Sequence, residues 1–189
     1  EGPRLSVAPG SGAARQGSRG VVLYENRGDG TWRKVARPGA GNFGAAIEVA
    51  DFNGDGILDF ATASDVRGFR ALLDLGAADG SWTETEIPEL RPNAVFHALA
   101  SADFDRDGRP DLAVGFQTME MGVSRAGIDV LLARGAGWQR ETIFAEESPA
   151  SIAGLATGDL DADGSADFVA VTTDGRVLAF RGDGRGGFT

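Results

Sequence analysis

In three short segments of the chain, the carboxylates have the spacing expected of a loop that binds a hard metal ion. The segments are Asp51-Phe-Asn-Gly-Asp-Gly-Ile-Leu-Asp59, Asp103-Phe-Asp-Arg-Asp-Gly-Arg-Pro-Asp111 and Asp159-Leu-Asp-Ala-Asp-Gly-Ser-Ala-Asp167. Each reads D-x-[DN]-x-D-G-x-x-D. Positions 1, 3 and 5 can place oxygens on one side of a tight turn, Gly at position 6 permits an unusual backbone conformation, and position 7 can offer its carbonyl. The pattern predicts an oxygen cage around a cation.

The closing ligand of this cage cannot be that of an EF-hand. An EF-hand needs a bidentate Glu at position 12, where this chain has Thr62, Val114 and Ala170. We therefore expect the Asp at position 9 to close each site. Position 7 contributes only its backbone carbonyl. The predicted metal ligands are Asp51, Asn53, Asp55, Ile57 and Asp59 in the first loop, Asp103, Asp105, Asp107, Arg109 and Asp111 in the second, and Asp159, Asp161, Asp163, Ser165 and Asp167 in the third.

The donor chemistry favours calcium, with three ions per chain. All-oxygen ligands in a flexible loop suit Ca²⁺ better than Mg²⁺, and a chain with no Cys and one His offers little to zinc. Ordinary Asp-Gly turns are the alternative interpretation, since these residues favour turns for local reasons. Recurrence in three loops argues against it. Asn53 gives the first loop one negative charge fewer, so the first site is predicted to be the weakest.

The acidity of the chain is concentrated in these loops. The formal net charge is −10, and the loops contain 11 of the 28 acids, which leaves the rest near neutral. No basic patch supports nucleic-acid binding. No apolar run approaches the length of a membrane-spanning helix, so membrane insertion is not expected either.

A second marker recurs in phase with the loops. An aromatic residue follows a Gly turn at Trp32, Trp82, Trp138 and Phe188, with spacings of 50, 56 and 50 residues. Between these markers, alternation and turn signals predict four strands per repeat, the first rich in Ala and Gly and the fourth polar. Four strands in about fifty residues are typical of a β-propeller blade. The fold class is therefore predicted to be all-β.

We expect residues 1–189 to form a single propeller segment of about three and a half blades. The predicted divisions are a partial blade at 1–37 and blades at 43–88, 94–144 and 151–189. Because propellers have roughly four to eight blades, this segment is expected to belong to a larger ring of about seven, completed by further blades or other chains.

The repeat resembles the FG-GAP or VCBS repeat of integrin-α-type β-propellers. The resemblance rests on the nine-residue Asp loop, the pair Phe43-Gly44, the Asp-Leu or Asp-Phe that opens the second strand, and Gly-Asp-Gly before the aromatic. It weakens at Phe96-His97 and Ile152-Ala153, where Phe-Gly is not kept. The resemblance implies that calcium is structural, that the loops join the first two strands of each blade, and that the setting is extracellular, cell-surface or periplasmic.

Function is less determined than fold. The leading hypothesis is a non-enzymatic binding, adhesion or assembly module for protein or glycan partners. The alternatives are the propeller portion of a secreted carbohydrate-active enzyme and a structural subunit of a surface assembly. Partners are expected on the face opposite the calcium loops. That face is predicted to comprise the connections Pro9 to Arg19, Asp65 to Gly68, Gln117 to Ala126 and Asp174-Gly175, together with Arg37 to Asn42, Glu89 to Asn93 and Ala145 to Pro149.

Several residues invite a functional reading that the repeat explains more simply. Arg27-Gly28-Asp29 and Arg181-Gly182-Asp183 spell an adhesion tripeptide, but both fall at the turn between the third and fourth strands, where hairpin geometry favours Gly and Asp. His97 has no evident catalytic partner, and the recurring tryptophans fit blade packing.

Overall fold

The computed structural model describes residues 5–8, 21–36, 44–64, 71–135 and 137–189. Within these ranges all regular structure is β-strand, arranged in four antiparallel sheets. The described part of the chain has no helix with the length and hydropathy that crossing a bilayer requires. The predicted all-β fold class is confirmed.

Each sheet corresponds to one repeat and is called a blade below. Blade 1 comprises β1 (Leu5–Ala8), β2 (Val22–Asn26) and β3 (Trp32–Ala36). Blade 2 comprises β4 (Gly44–Ala50), β5 (Asp59–Ser64), β6 (Ala71–Gly76) and β7 (Trp82–Glu86). Blade 3 comprises β8 (Ala94–Ala102), β9 (Asp111–Glu120), β10 (Val123–Arg134) and β11 (Gly137–Glu147). Blade 4 comprises β12 (Ile152–Gly158), β13 (Asp167–Thr172) and β14 (Val177–Phe180).

In every blade the strands pair in chain order, as a meander of hairpins. This is the strand order of a propeller blade. The loop of nine residues therefore joins the innermost strand of blades 2, 3 and 4 to the next strand outward, as the resemblance implied.

The hydrophobic core lies between successive blades. Val21 and Leu23 of blade 1 cluster with Phe60 of blade 2. Leu73 of blade 2 clusters with Phe116 of blade 3. Ile128 and Val130 of blade 3 cluster with Ile152 and Phe168 of blade 4. A fully buried side chain of this size stabilises the fold by about 1.5–3 kcal/mol, so the packing of each blade against the next stabilises the fold.

The innermost strands lie side by side. β4 contacts β8, and β8 contacts β12. The Ser101 hydroxyl donates to a Glu48 carboxylate oxygen at 2.7 Å, and the Thr157 hydroxyl donates to the Ser101 carbonyl at 3.0 Å. β12 also contacts β9, where a Cβ built on Gly115 would lie 2.7 Å from the Cβ of Ile152. The glycine permits this close approach of blades 3 and 4.

The structure corrects one feature of the predicted connections. Gln117 to Ala126 was expected to be a loop, but β9 and β10 continue through it and pair as far as Glu120 and Val123, leaving only Met121-Gly122 as the turn. Likewise β11 continues to Glu147, into the predicted connection at Ala145 to Pro149 and past the predicted blade end at 144. Main-chain pairing extends these strands although their side chains lack regular apolar alternation.

Three predicted connections, Pro9 to Arg19, Arg37 to Asn42 and Asp65 to Gly68, lie outside the described residues.

Candidate metal centre

The three Asp loops share one hydrogen-bonding scheme. The Asp at position 1 turns its carboxylate inward and accepts backbone N–H groups from the loop itself. Asp103 accepts the amides of Asp107 at 3.0 Å and Gly108 at 2.9 Å, and Asp159 accepts the equivalent amides of Asp163 at 3.2 Å and Gly164 at 3.0 Å. In the first loop Asp51 accepts three such amides. The position-1 carboxylate therefore sets the curvature of each loop.

The Asp at position 5 closes a local turn. The position-7 amides of Ile57, Arg109 and Ser165 donate to Asp55, Asp107 and Asp163 at 2.8, 2.9 and 2.6 Å. Between these positions the backbone is left-handed at Gly56, Gly108 and Gly164, where φ is 84°, 86° and 81°. A side chain at position 6 would be strained, which explains the glycine in each loop.

The Asp at position 9 is fully buried in all three loops. One of its oxygens accepts the amide of position 2, and the other accepts an amide at the end of the third strand of the blade. For Asp111 the donors are Phe104 and Ala133, each at 2.8 Å. For Asp167 they are Leu160 at 2.7 Å and Gly182 at 2.8 Å. For Asp59 they are Phe52 and Gly76, each at 2.9 Å.

Sequence reasoning assigned position 9 only to metal binding and missed this role. The carboxylate ties the loop to two strands, which is a structural contribution independent of any ion. The signal that could have revealed it is the placement of Asp at the first residue of an otherwise apolar strand, where a buried carboxylate needs donors.

In each of the second and third loops, three carboxylates lie close together. Asp103, Asp105 and Asp111 each bring an oxygen within 4.8 Å of the others, and Asp159, Asp161 and Asp167 do the same. These are positions 1, 3 and 9. Position 5 belongs to neither group, and the first loop, with Asn53 at position 3, has no such group.

Arginines supply part of the counter-charge around the second and third loops. Arg134 is paired with Asp105, and the Arg181 Nε lies 3.6 Å from Asp161. Arg109 contacts Asp107 at 3.1 Å and donates to the carbonyls of Ala133 and Gly135. Any cation in the second loop would share Asp105 with Arg134 or displace it.

The carboxyl pKa values reflect crowding and burial. Burial raises the pKa of Asp111 to about 6, with Asp105 and Asp107 adding to the rise and the Ala133 and Phe104 amides opposing it. Burial likewise raises the pKa of Asp59. At position 5, the Ser165 amide lowers the pKa of Asp163. At Asp107, burial acts to raise the pKa, but the backbone and side chain of Arg109 outweigh it, so the pKa of Asp107 is lowered.

This donor set fits a hard cation. Two unit charges about 4 Å apart repel by about 4 kcal/mol at an effective dielectric near 20, so each three-carboxylate group is strained unless counter-charge is present. Carboxylate oxygens beside a position-7 carbonyl are the ligands that calcium prefers. The second and third loops meet this requirement better than the first.

The remaining sequence candidates take structural positions. Asp29 accepts both the amide and the hydroxyl of Thr31, and Asp183 accepts the amides of Arg185 and Gly187, so both tripeptide aspartates close turns. The Trp82 ring lies 5.0 Å from that of Phe60, and the Trp138 ring lies 6.1 Å from that of Phe52. Trp32 differs, because it is 48% exposed.

Comparison with known proteins finds the same repeat in two places. A model of the FG-GAP-like repeat matches residues 10–62, which include the first loop, and a model of the FG-GAP repeat matches residues 96–118, which include the second. A search of curated proteins found no match to the chain. The two matched stretches lie in sheets of the same strand order, and they show that the chain contains FG-GAP-type repeats.

Proposed function

We propose that this chain is an exported, calcium-stabilised β-propeller segment that acts as a binding, adhesion or assembly module for protein or glycan partners. The observation that carries the proposal is the pair of three-carboxylate groups, Asp103 with Asp105 and Asp111, and Asp159 with Asp161 and Asp167. The two groups occupy the same positions of successive repeats. Coincidental surface acids would not share a register.

Calcium would be held by the side chains at positions 1, 3, 5 and 9 and by the carbonyl at position 7. A bound ion would neutralise crowded carboxylates and cross-link the loop to the second strand of the blade. Asp107 and Asp163, which lie outside the carboxylate groups, would have to turn inward to complete the shell. We expect the first loop to bind most weakly, because Asn53 lowers its charge.

Export follows from the proposed metal dependence and from the family. Calcium sites that stabilise a fold need abundant calcium, which extracellular and periplasmic settings supply. The proposed role is non-enzymatic. His97, the single histidine, lies on the inner strand β8, where the pairing with β9 shifts register. The proposal assigns the chain a scaffold on which loops carry recognition.

The partner surface is proposed at the ends of the strands opposite the Asp loops. β9 begins at Asp111 beside the second loop, so its far end, the β9–β10 turn, projects from the opposite face. Met119 is 72% exposed, Met121 is fully exposed and Val123 is 45% exposed. Exposed methionines are common at binding surfaces that adapt to their partners. Arg125 and Glu147 form an ion pair of 3.2 Å at the base of this hairpin.

The test is a calorimetric calcium titration with thermal melts in calcium and in chelator. We expect three ions per chain, with the first loop weakest, and a higher melting temperature in calcium. A site saturated at one hundred times its dissociation constant stabilises the folded state by about 2.7 kcal/mol. The matched control is Asp103→Ala with Asp159→Ala, which removes position 1 from both carboxylate groups. Absence of binding in the unmodified chain, or an equal calcium response in the double variant, would refute the proposal.

A further inference from the structure

Position 4 of the second loop carries an unusual residue for its backbone conformation. All three loops are left-handed there, with φ of 77° at Gly54, 60° at Arg106 and 63° at Ala162. Glycine suits this conformation, whereas any residue with a Cβ is strained in it. Strain of this kind persists where the surrounding structure compensates for it. Arg106 and Ala162 share this strain, but of the three residues only Arg106 has a side chain long enough to contact a neighbouring loop.

That contact joins two blades. Arg106 is an exposed residue, but its Nη2 donates to the Asp163 carbonyl at 3.2 Å and to the Ser165 hydroxyl at 2.9 Å. These acceptors are at positions 5 and 7 of the third loop. Ser165 is 3% exposed, and its own amide donates to Asp163. The guanidinium of the second loop thus contacts the two residues of the third loop whose position-5 carboxylate and position-7 carbonyl would face a cation, through other atoms of those residues.

The Arg106 side chain packs against the backbone of blade 4. A Cβ built on Gly184 would lie 2.9 Å from the Arg106 Nε and 3.0 Å from its Cζ, so the guanidinium packs directly against that glycine. The adjoining backbone is also linked, because the Gly186 amide donates to the Phe104 carbonyl at 3.1 Å. An open recess of about 400 Å³ separates the two loops, and Asp103 and Asp159 line it together with Arg106.

We propose that Arg106 couples the second and third loops, so that a cation bound in either loop raises the affinity of the other. The inference rests on the proposed calcium sites. Asp103 accepts the amides of Asp107 and Gly108, which directly follow Arg106 in the chain, so ordering the second loop fixes the backbone that carries the guanidinium. The guanidinium in turn fixes the position-7 residue of the third loop. Coupling of this kind is reciprocal and commonly amounts to 5- to 150-fold in affinity, about 1–3 kcal/mol.

The first loop has no bridging side chain of this kind. Its position 4 is Gly54, which has no side chain to reach the second loop. Ala162 in the third loop has only a methyl group. The coupling is therefore specific to one pair of loops and to one residue.

The experiment uses calcium itself in a background with the first loop disabled by Asp51→Ala. Calorimetry then measures the affinity of the second loop with the third loop intact or disabled by Asp159→Ala. We expect Asp159→Ala to weaken the second loop at least about fivefold, and less than about twofold once Arg106→Gly is also present. Ala162→Gly is the matched control, because it changes the same backbone position without removing a bridging side chain, and coupling should persist in it.

A second measurement needs no calcium. In chelator, amide hydrogen exchange at Gly164 and Ser165 should be faster in Arg106→Gly than in the unmodified chain and unchanged at the equivalent Gly56 and Ile57. Coupling that survives Arg106→Gly, or unchanged exchange at Ser165, would overturn the inference while leaving the calcium sites intact. Failure of calcium to bind at all would instead overturn the proposed function on which it rests.

Discussion

Replacement of Asp167 separates the structural role of position 9 from metal binding. Its carboxylate accepts the buried Gly182 amide at 2.8 Å and the partly buried Leu160 amide at 2.7 Å. Asp167→Ala leaves both donors without an acceptor. A buried unsatisfied donor costs about 1–3 kcal/mol, and a lost ordinary hydrogen bond about 0.5–1.5 kcal/mol. We expect a loss of about 2–4 kcal/mol in the free energy of unfolding, even in chelator.

The assay is urea denaturation at neutral pH in chelator, followed by far-ultraviolet circular dichroism. Asp159→Ala is the control, since its carboxylate serves amides in an exposed loop that water can satisfy, and it should cost less than about 1 kcal/mol in chelator. Asp167→Asn keeps one acceptor oxygen and should fall between the two, which preserves the test if the alanine variant does not fold. Equal stabilities of Asp167→Ala and Asp159→Ala would refute the reasoning.

Two further predictions concern buried charge. Asp74 is 1% exposed, and burial raises its pKa to about 6, with the negative charge of Glu84 contributing to the rise. The folded state therefore binds the proton more tightly than the unfolded state. The free energy of unfolding should fall by up to about 3 kcal/mol as pH rises from about 4 through 6. Asp74→Asn should make this slope shallower in pH-resolved urea melts without abolishing it, because burial also raises the pKa of Asp111 to about 6; a slope that Asp74→Asn leaves unchanged would contradict the assignment. Arg91 forms a two-point ion pair with Asp129, which is 1% exposed. Arg91→Met should cost about 3–5 kcal/mol in the same melts, and adding Asp129→Leu should restore most of it; a double variant no more stable than Arg91→Met would argue against a buried pair.

The blade order and the loops could be predicted because both depend on local sequence. Each Asp loop is one contiguous segment of nine residues, and its hydrogen bonds run mostly between neighbours, as from Gly108 to Asp103. The strand positions followed from turn residues at a period near fifty. Such features need no knowledge of distant contacts.

The features that could not be predicted depend on contacts between distant segments. Arg91 and Asp129 are 38 residues apart, and Arg106 and Ser165 are 59 apart, with nothing in the local pattern to pair them. The β9–β10 extension was missed for a related reason. Its polar residues, including Gln117 and Ser124, lack the apolar alternation that marks a strand. Main-chain pairing holds the extension together, and the Gln117 side-chain amide also donates to the Ser124 hydroxyl at 3.0 Å.

The hydrogen bonds of the loops also indicate what a cation would and would not contribute. Position-1, position-5 and position-9 carboxylates already satisfy the loop amides, as Asp159, Asp163 and Asp167 do in blade 4. We therefore expect the turns to keep their shape without an ion. What remains unbalanced is the repulsion within each three-carboxylate group, which Arg134 offsets only in part at Asp105. Calcium should accordingly raise the melting temperature of sheets that persist in chelator, and a chain whose sheet signal disappeared on chelation would show that the loops need the ion to form.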